Sequence, residues 1–370
     1  MEDYKKLAEI LVKHSCKIKC GDRVLIEQSN TDIDFLIILI KEIKKAGGLV
    51  FINNIIPEIS RELLFDVSEE YINQKTEFVL PDMKQIDAYI SIHGTNNIFE
   101  NSDVPTKNIG LNQKLFVQPV HYEERVKNTK WVILRWPTPA FAQSAKMSSQ
   151  AFSEFFFRAC NVDYAKMEKA LTPLKNLMEK TNNVRITGPG TNLCFSIKNM
   201  PAVKCAGKNN IPDGEIFTAP IKNSVNGCVQ FNIPTVYNGT RFDNVFLEFN
   251  NGKIIKATST GNTEKLNEIL NTDCGARYLG EFALGVNPFV DKSILDILFD
   301  EKMKGSVHLT PGSCYAEANN GNNSAIHWDM VLCQLKEFGG GEIFFDDVLV
   351  RKNGEFVLEE LFEINPQNFL

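Results

Sequence analysis

The chain has 370 residues, 43% of them hydrophobic and 23% charged, an ordinary balance for a globular protein. Its formal net charge of −6 argues against a nucleic-acid surface, which needs clustered Lys and Arg. No apolar run approaches the ~20 residues of a membrane-spanning helix, and the N-terminal M-E-D-Y-K-K-L-A-E-I has no apolar signal core.

Residues 2–15 have helical spacing, and G-D-R-V-L-I-E at 21–27 reads as a turn into a buried strand. D-I-D-F-L-I-I-L-I-K-E-I-K-K-A-G-G (32–48) is a second helix stopped by Gly47-Gly48. Further strands are expected at 49–54, 87–94 and 130–137. Strands alternating with helices predict βαβ units and a mostly parallel sheet. No G-x-G-x-x-G follows the first strand, so a dinucleotide site is not expected. His93 and His121 read as structural histidines, and Trp131 and Trp136 as packing residues.

Residues 147–180 read as one long helix or two, with Pro173 as the dividing point. From 183 onward short strands dominate, separated by turn residues such as Asn251-Gly252 and Asn353-Gly354. We therefore expect an α/β domain over 1–146, connecting helices over 147–182, and an α+β domain over 183–370. The last would hold an antiparallel curled sheet or barrel carrying the functional site. Nine scattered cysteines, an odd number, read as reduced thiols of a cytosolic protein. The triplet beginning at Asn238 has the form of a glycosylation acceptor and is expected to stay unmodified there.

Only five histidines occur, and two, His308 and His327, fall between Glu301 and Asp329. Each sits in a short apolar run, V-H-L and I-H-W-D-M, with a Gly/Asn-rich connection between them. This reads as strand, loop, strand, each strand with an imidazole. His327 and Asp329 then share a face, with Trp328 opposite. Two imidazoles and a carboxylate suit a divalent metal, although a lone His on an apolar strand is more often a satisfied core residue. Glu301 and Glu317 add acids to this window. Glu215 and Glu281 stand out because each follows a glycine inside an apolar run, where a carboxylate is costly unless paired or metal-bound.

The blocks P-D-G-E-I-F-T-A-P, R-Y-L-G-E, L-F-D-E-K, H-L-T-P-G-S-C-Y and N-N-S-A-I-H-W-D occur in order between about 180 and 355. Together they resemble the M29 metallo-aminopeptidases, the thermophilic aminopeptidase family. The resemblance implies metal ligands Glu215, Glu281, His308, His327 and Asp329. It also implies Glu301 as a further ligand or the general base, and Tyr315 as the residue facing the metals. It implies two divalent ions (zinc or cobalt, with manganese or magnesium as alternatives), a homodimer, and short peptides with a free N-terminus as substrates. The wide Glu301–His308 spacing, and Asn320-Gly321 where the family tends to have two glycines, fit a shorter branch.

Two rivals remain at this point. His308, His327 and Asp329 alone would make a two-His, one-carboxylate Fe(II) site, and a ring-cleaving dioxygenase resembles the same fold family. A non-catalytic metal- or peptide-binding homologue is the other.

Overall fold

The computed structural model describes residues 1–237 and 239–369, so the triplet at Asn238 lies outside the described residues. The chain divides into two compact units: Met1–Asn161 with Gly207–Ile211, and Val162–Ala206 with Pro212–Leu370.

The first unit is built on a five-stranded parallel sheet, in the order Leu49–Asn54, Arg23–Ser29, Ala88–His93, Lys130–Arg135, Asn210–Ile211. The central strand Ala88–His93 is buried at Ala88, Tyr89, Ile90, Ser91 and Ile92. Such burial on both faces is the mark of a covered parallel strand. The helix Ile33–Lys45 buries Phe35, Leu39 and Ile43, one stripe at four-residue spacing. Asp32 caps it by accepting the Asp34 N–H, and Gly47, at φ +86°, ends it. Trp136 stacks on Phe35 at 4.6 Å, a core role.

The segment around 147–180 forms two helices, Ser149–Cys160 and Tyr164–Met178. The break falls at Asn161–Asp163, not at Pro173, which lies inside the second helix. Asp163 caps that helix by accepting the Lys166 N–H, and Tyr164, Met167, Leu171, Leu174 and Met178 form its buried stripe. This packing outweighs the one hydrogen bond that Pro173 cannot donate.

The second unit is α+β with two antiparallel sheets. The larger has nine strands, and its Thr240–Asn250 and Lys253–Thr260 hairpin turns at Asn251-Gly252. The smaller has five strands and carries the site. Both are open: the curled-sheet expectation holds, and no closed barrel is formed among the described residues. No helix among them is long and apolar enough to cross a membrane.

Candidate metal centre

The five-stranded sheet of the second unit runs in the order Met330–Cys333, Ser306–Pro311, Leu279–Gly285, Glu215–Thr218, Val203–Cys205. Its register places His308 opposite Ala283, Gly285 opposite Glu215, and Glu215 opposite Cys205. Side chains alternate along a strand, so His308, Glu281, Glu215 and Cys205 share one face. The glycines before the two glutamates have physical reasons. Gly214 adopts φ +134°, and a Cβ on Gly280 would sit 2.3 Å from the Ser313 carbonyl oxygen.

His308 lies in a strand as expected. His327 does not: it precedes the strand Met330–Cys333 and is held by an isolated backbone bridge to Gly312. Its Nδ1 lies 2.8 Å from the Ser313 carbonyl, which accepts its proton and leaves Nε2 free to ligate. Trp328 points away as expected and stacks on Tyr237 at 4.6 Å.

These side chains converge. His308 Nε2 is 3.1 Å from Glu281 Oε1 and 3.6 Å from Glu215 Oε2. His327 Nε2 is 3.7 Å from Glu281 Oε2 and 3.4 Å from Asp329 Oδ1. Ligand atoms of Glu215, Glu281 and His308 lie within 4.8 Å of one another, and so do those of Glu281, His327 and Asp329. Glu281 belongs to both groups. Glu301, His308 and Asp329 form a third such group. Oε2 of Glu215 and Oε2 of Glu281 are buried without a hydrogen-bond partner. Unpaired buried carboxylate oxygens facing imidazole nitrogens fit a divalent cation, since either oxygen alone would be costly.

Electrostatics agree with the geometry. Burial alone would disfavour imidazolium at His308, but the hydrogen bond to Glu281 and the charge of Glu215 push it up to about 10. Burial likewise opposes the charged form of His327, and Asp329 and Glu281 raise it. Asp329 is lowered: burial pushes it up, yet His327, His308 and the Thr310 hydroxyl, donating at 2.5 Å, prevail.

Tyr315 is half exposed and packs on the His327 ring, with centroids 4.7 Å apart. Glu317 is exposed in a 3-10 turn and joins none of these groups. Sequence reasoning misses Lys302, which is fully buried with Nζ 2.5 Å from Glu301 and 2.6 Å from Glu215. Asp213, Cys205 and Thr310 are missed as well. Lys302 closes the block L-F-D-E-K, but its place beside Glu301 reads as a pairing that ordinarily lies in solvent.

This fold and donor set are those of a metal-dependent enzyme. The sequence pattern of the thermophilic metalloprotease (M29) family matches residues 1–356, and the chain belongs to that family as a metal-dependent hydrolase. Aminopeptidase AmpS of Bacillus subtilis is 26% identical, over 89% of this chain and 88% of its own length. Aminopeptidase T of Thermus aquaticus is 23% identical, over 94% and 95%. The solved structure of wild-type AmpT from Thermus thermophilus shares the fold, with a TM-score of 0.80 at 21% identity, covering 96% of this chain and 99% of that one.

Proposed function

We propose that this chain is an aminopeptidase that releases the N-terminal residue of short peptides, using two divalent cations held by Glu215, Glu281, His308, His327 and Asp329. The observation that carries this reading is Glu281, whose two oxygens face the two histidines and which belongs to both donor groups. When bound there, zinc or cobalt supplies Lewis acidity toward a scissile carbonyl and activates water.

The chain's own residues supply the rest. Glu301 is buried at the edge of the centre; burial pushes its carboxyl up while Lys302 opposes. A carboxyl raised in this way can carry a proton from water to the leaving amine. Tyr315 packs against His327, and in this reading its phenol donates to a developing oxyanion. A carboxylate oxygen left over from metal binding would hold the free α-amine of the substrate, which limits cleavage to the first residue. A homodimer in the cytosol accompanies this reading.

The mononuclear iron alternative needs His308, His327 and Asp329 only. It gives no role to the buried, unpartnered oxygens of Glu215 and Glu281. The deciding experiment pairs metal analysis with hydrolysis of aminoacyl-p-nitroanilides and their N-acetylated counterparts. Two metals per chain and cleavage of the free-amine substrates alone are expected. One iron per chain without hydrolysis would sink the reading.

A further inference from the structure

A lysine stands inside the acidic side of this centre. Lys302 follows the short helix Ile297–Asp300 and is 0% exposed. Its Nζ lies 2.6 Å from Glu215 Oε1, 2.5 Å from Glu301 Oε1 and 3.7 Å from Asp213 Oδ1. The thiol of Cys205, opposite Glu215 in the sheet, completes this corner: ligand atoms of Cys205, Asp213 and Glu215 all lie within 4.8 Å of one another. That spacing would serve a metal ion as well as the other donor groups do, and a thiolate with carboxylates suits zinc or cobalt.

We propose that Lys302 is a resident cation of the centre. Its ammonium fills the Cys205–Asp213–Glu215 corner in place of a further metal ion and fixes which oxygen of Glu215 faces His308. The oxygen assignment follows from the contacts. Oε1 of each glutamate is engaged by the ammonium, so Oε2 of Glu215 is the atom turned toward His308. Rotating Oε1 toward the histidines would strip a buried ammonium of its partner, which is strongly unfavourable. Lys302 is thus a positioning residue. The inference rests on the metal-centre reading above, and its test is chosen to separate the two.

The test is cobalt titration of the full chain, read as equivalents retained and as thiolate-to-cobalt charge-transfer absorption. Wild type is expected to show no thiolate band that Cys205→Ser removes. Lys302→Ala should retain one additional equivalent and gain the band, and the further change Cys205→Ser should abolish it. Lys302→Arg, which keeps the charge, should behave as wild type. A thiolate band in wild type that Cys205→Ser removes would overturn the proposal, and that measurement stands even if Lys302→Ala does not fold. Wild-type stoichiometry with no band in a folded Lys302→Ala would overturn it equally. A wild type that retains no cobalt would refute the metal reading, leaving the band in Lys302→Ala to decide on Lys302.

Discussion

In the first unit, burial pushes His93 and His121 down to about 4, with Arg125 near both and Arg135 or Lys75 adding to the effect. In the second, His308 is pushed up to about 10 and His327 is raised, although burial acts on them in the same downward sense. The difference lies in the neighbours. His93 contacts Ser91 and His121 accepts from Arg125, whereas His308 and His327 face Glu281, Glu215 and Asp329. Burial alone therefore does not separate a structural histidine from one of the candidate centre; carboxylates within 4 Å do.

The largest effect that would break this contrast is at Glu281. Glu281→Ala should lower kcat/KM by about 10³-fold or more and release metal, as measured by elemental analysis beside kinetics. His93→Gln or His121→Gln should leave both unchanged. Next comes acid stability. With folded values near 4 against about 6.5 unfolded, His93 and His121 take up protons on unfolding, so their contribution to stability is lost as pH falls from 6.5 to 4. His93 accounts for up to roughly 3 kcal/mol, and His93→Gln should flatten the acid limb of a denaturant-stability profile.

Tyr315→Phe sharpens the contrast from the other side. It should cost about 10²-fold in kcat with KM little changed if the phenol donates to an oxyanion. An unchanged kcat would reduce Tyr315 to a packing partner of His327. The smallest effect, counted per unit of pH, concerns protons. Against burial, the hydrogen bond to Glu281 and the charge of Glu215 push His308 up to about 10, so a metal competes with its proton. Apparent metal affinity should climb by up to about tenfold per pH unit below that value, with proton release visible by calorimetry in buffers of different ionisation heat.

The regions that the sequence makes legible are those where one residue type has few physical excuses. Glu215 and Glu281 could be picked out because a carboxylate behind a glycine in an apolar strand needs a partner, and both reach the centre. His327 joins it too, but through an isolated bridge that no two-residue periodicity encodes. Lys302 escapes because E-K is ordinarily a solvated pair, and its burial depends on Asp213 and Glu215, some ninety residues earlier in the chain. The helices Pro57–Phe65 and Thr106–Asn112 have no fully buried residues, so they offer no apolar stripe to read. Pro173 misleads because tertiary burial along Tyr164–Met178 outweighs a local rule.

The two-residue strand Asn210–Ile211, which lies beside Ile133 and Leu134 in the parallel sheet, has a consequence for how the protein is made. Translation adds about 5–20 residues per second, and the last strand of the first sheet emerges only after 45 residues of the second unit, Val162–Ala206, have been synthesised. Until then the Lys130–Arg135 strand presents an open backbone edge to whatever meets the nascent chain. A product truncated after Asn161 would keep that edge permanently. The N-terminal half is therefore not a free-standing cassette, and a ribosome that pauses between residues 161 and 211 holds a sheet that still lacks its closing strand.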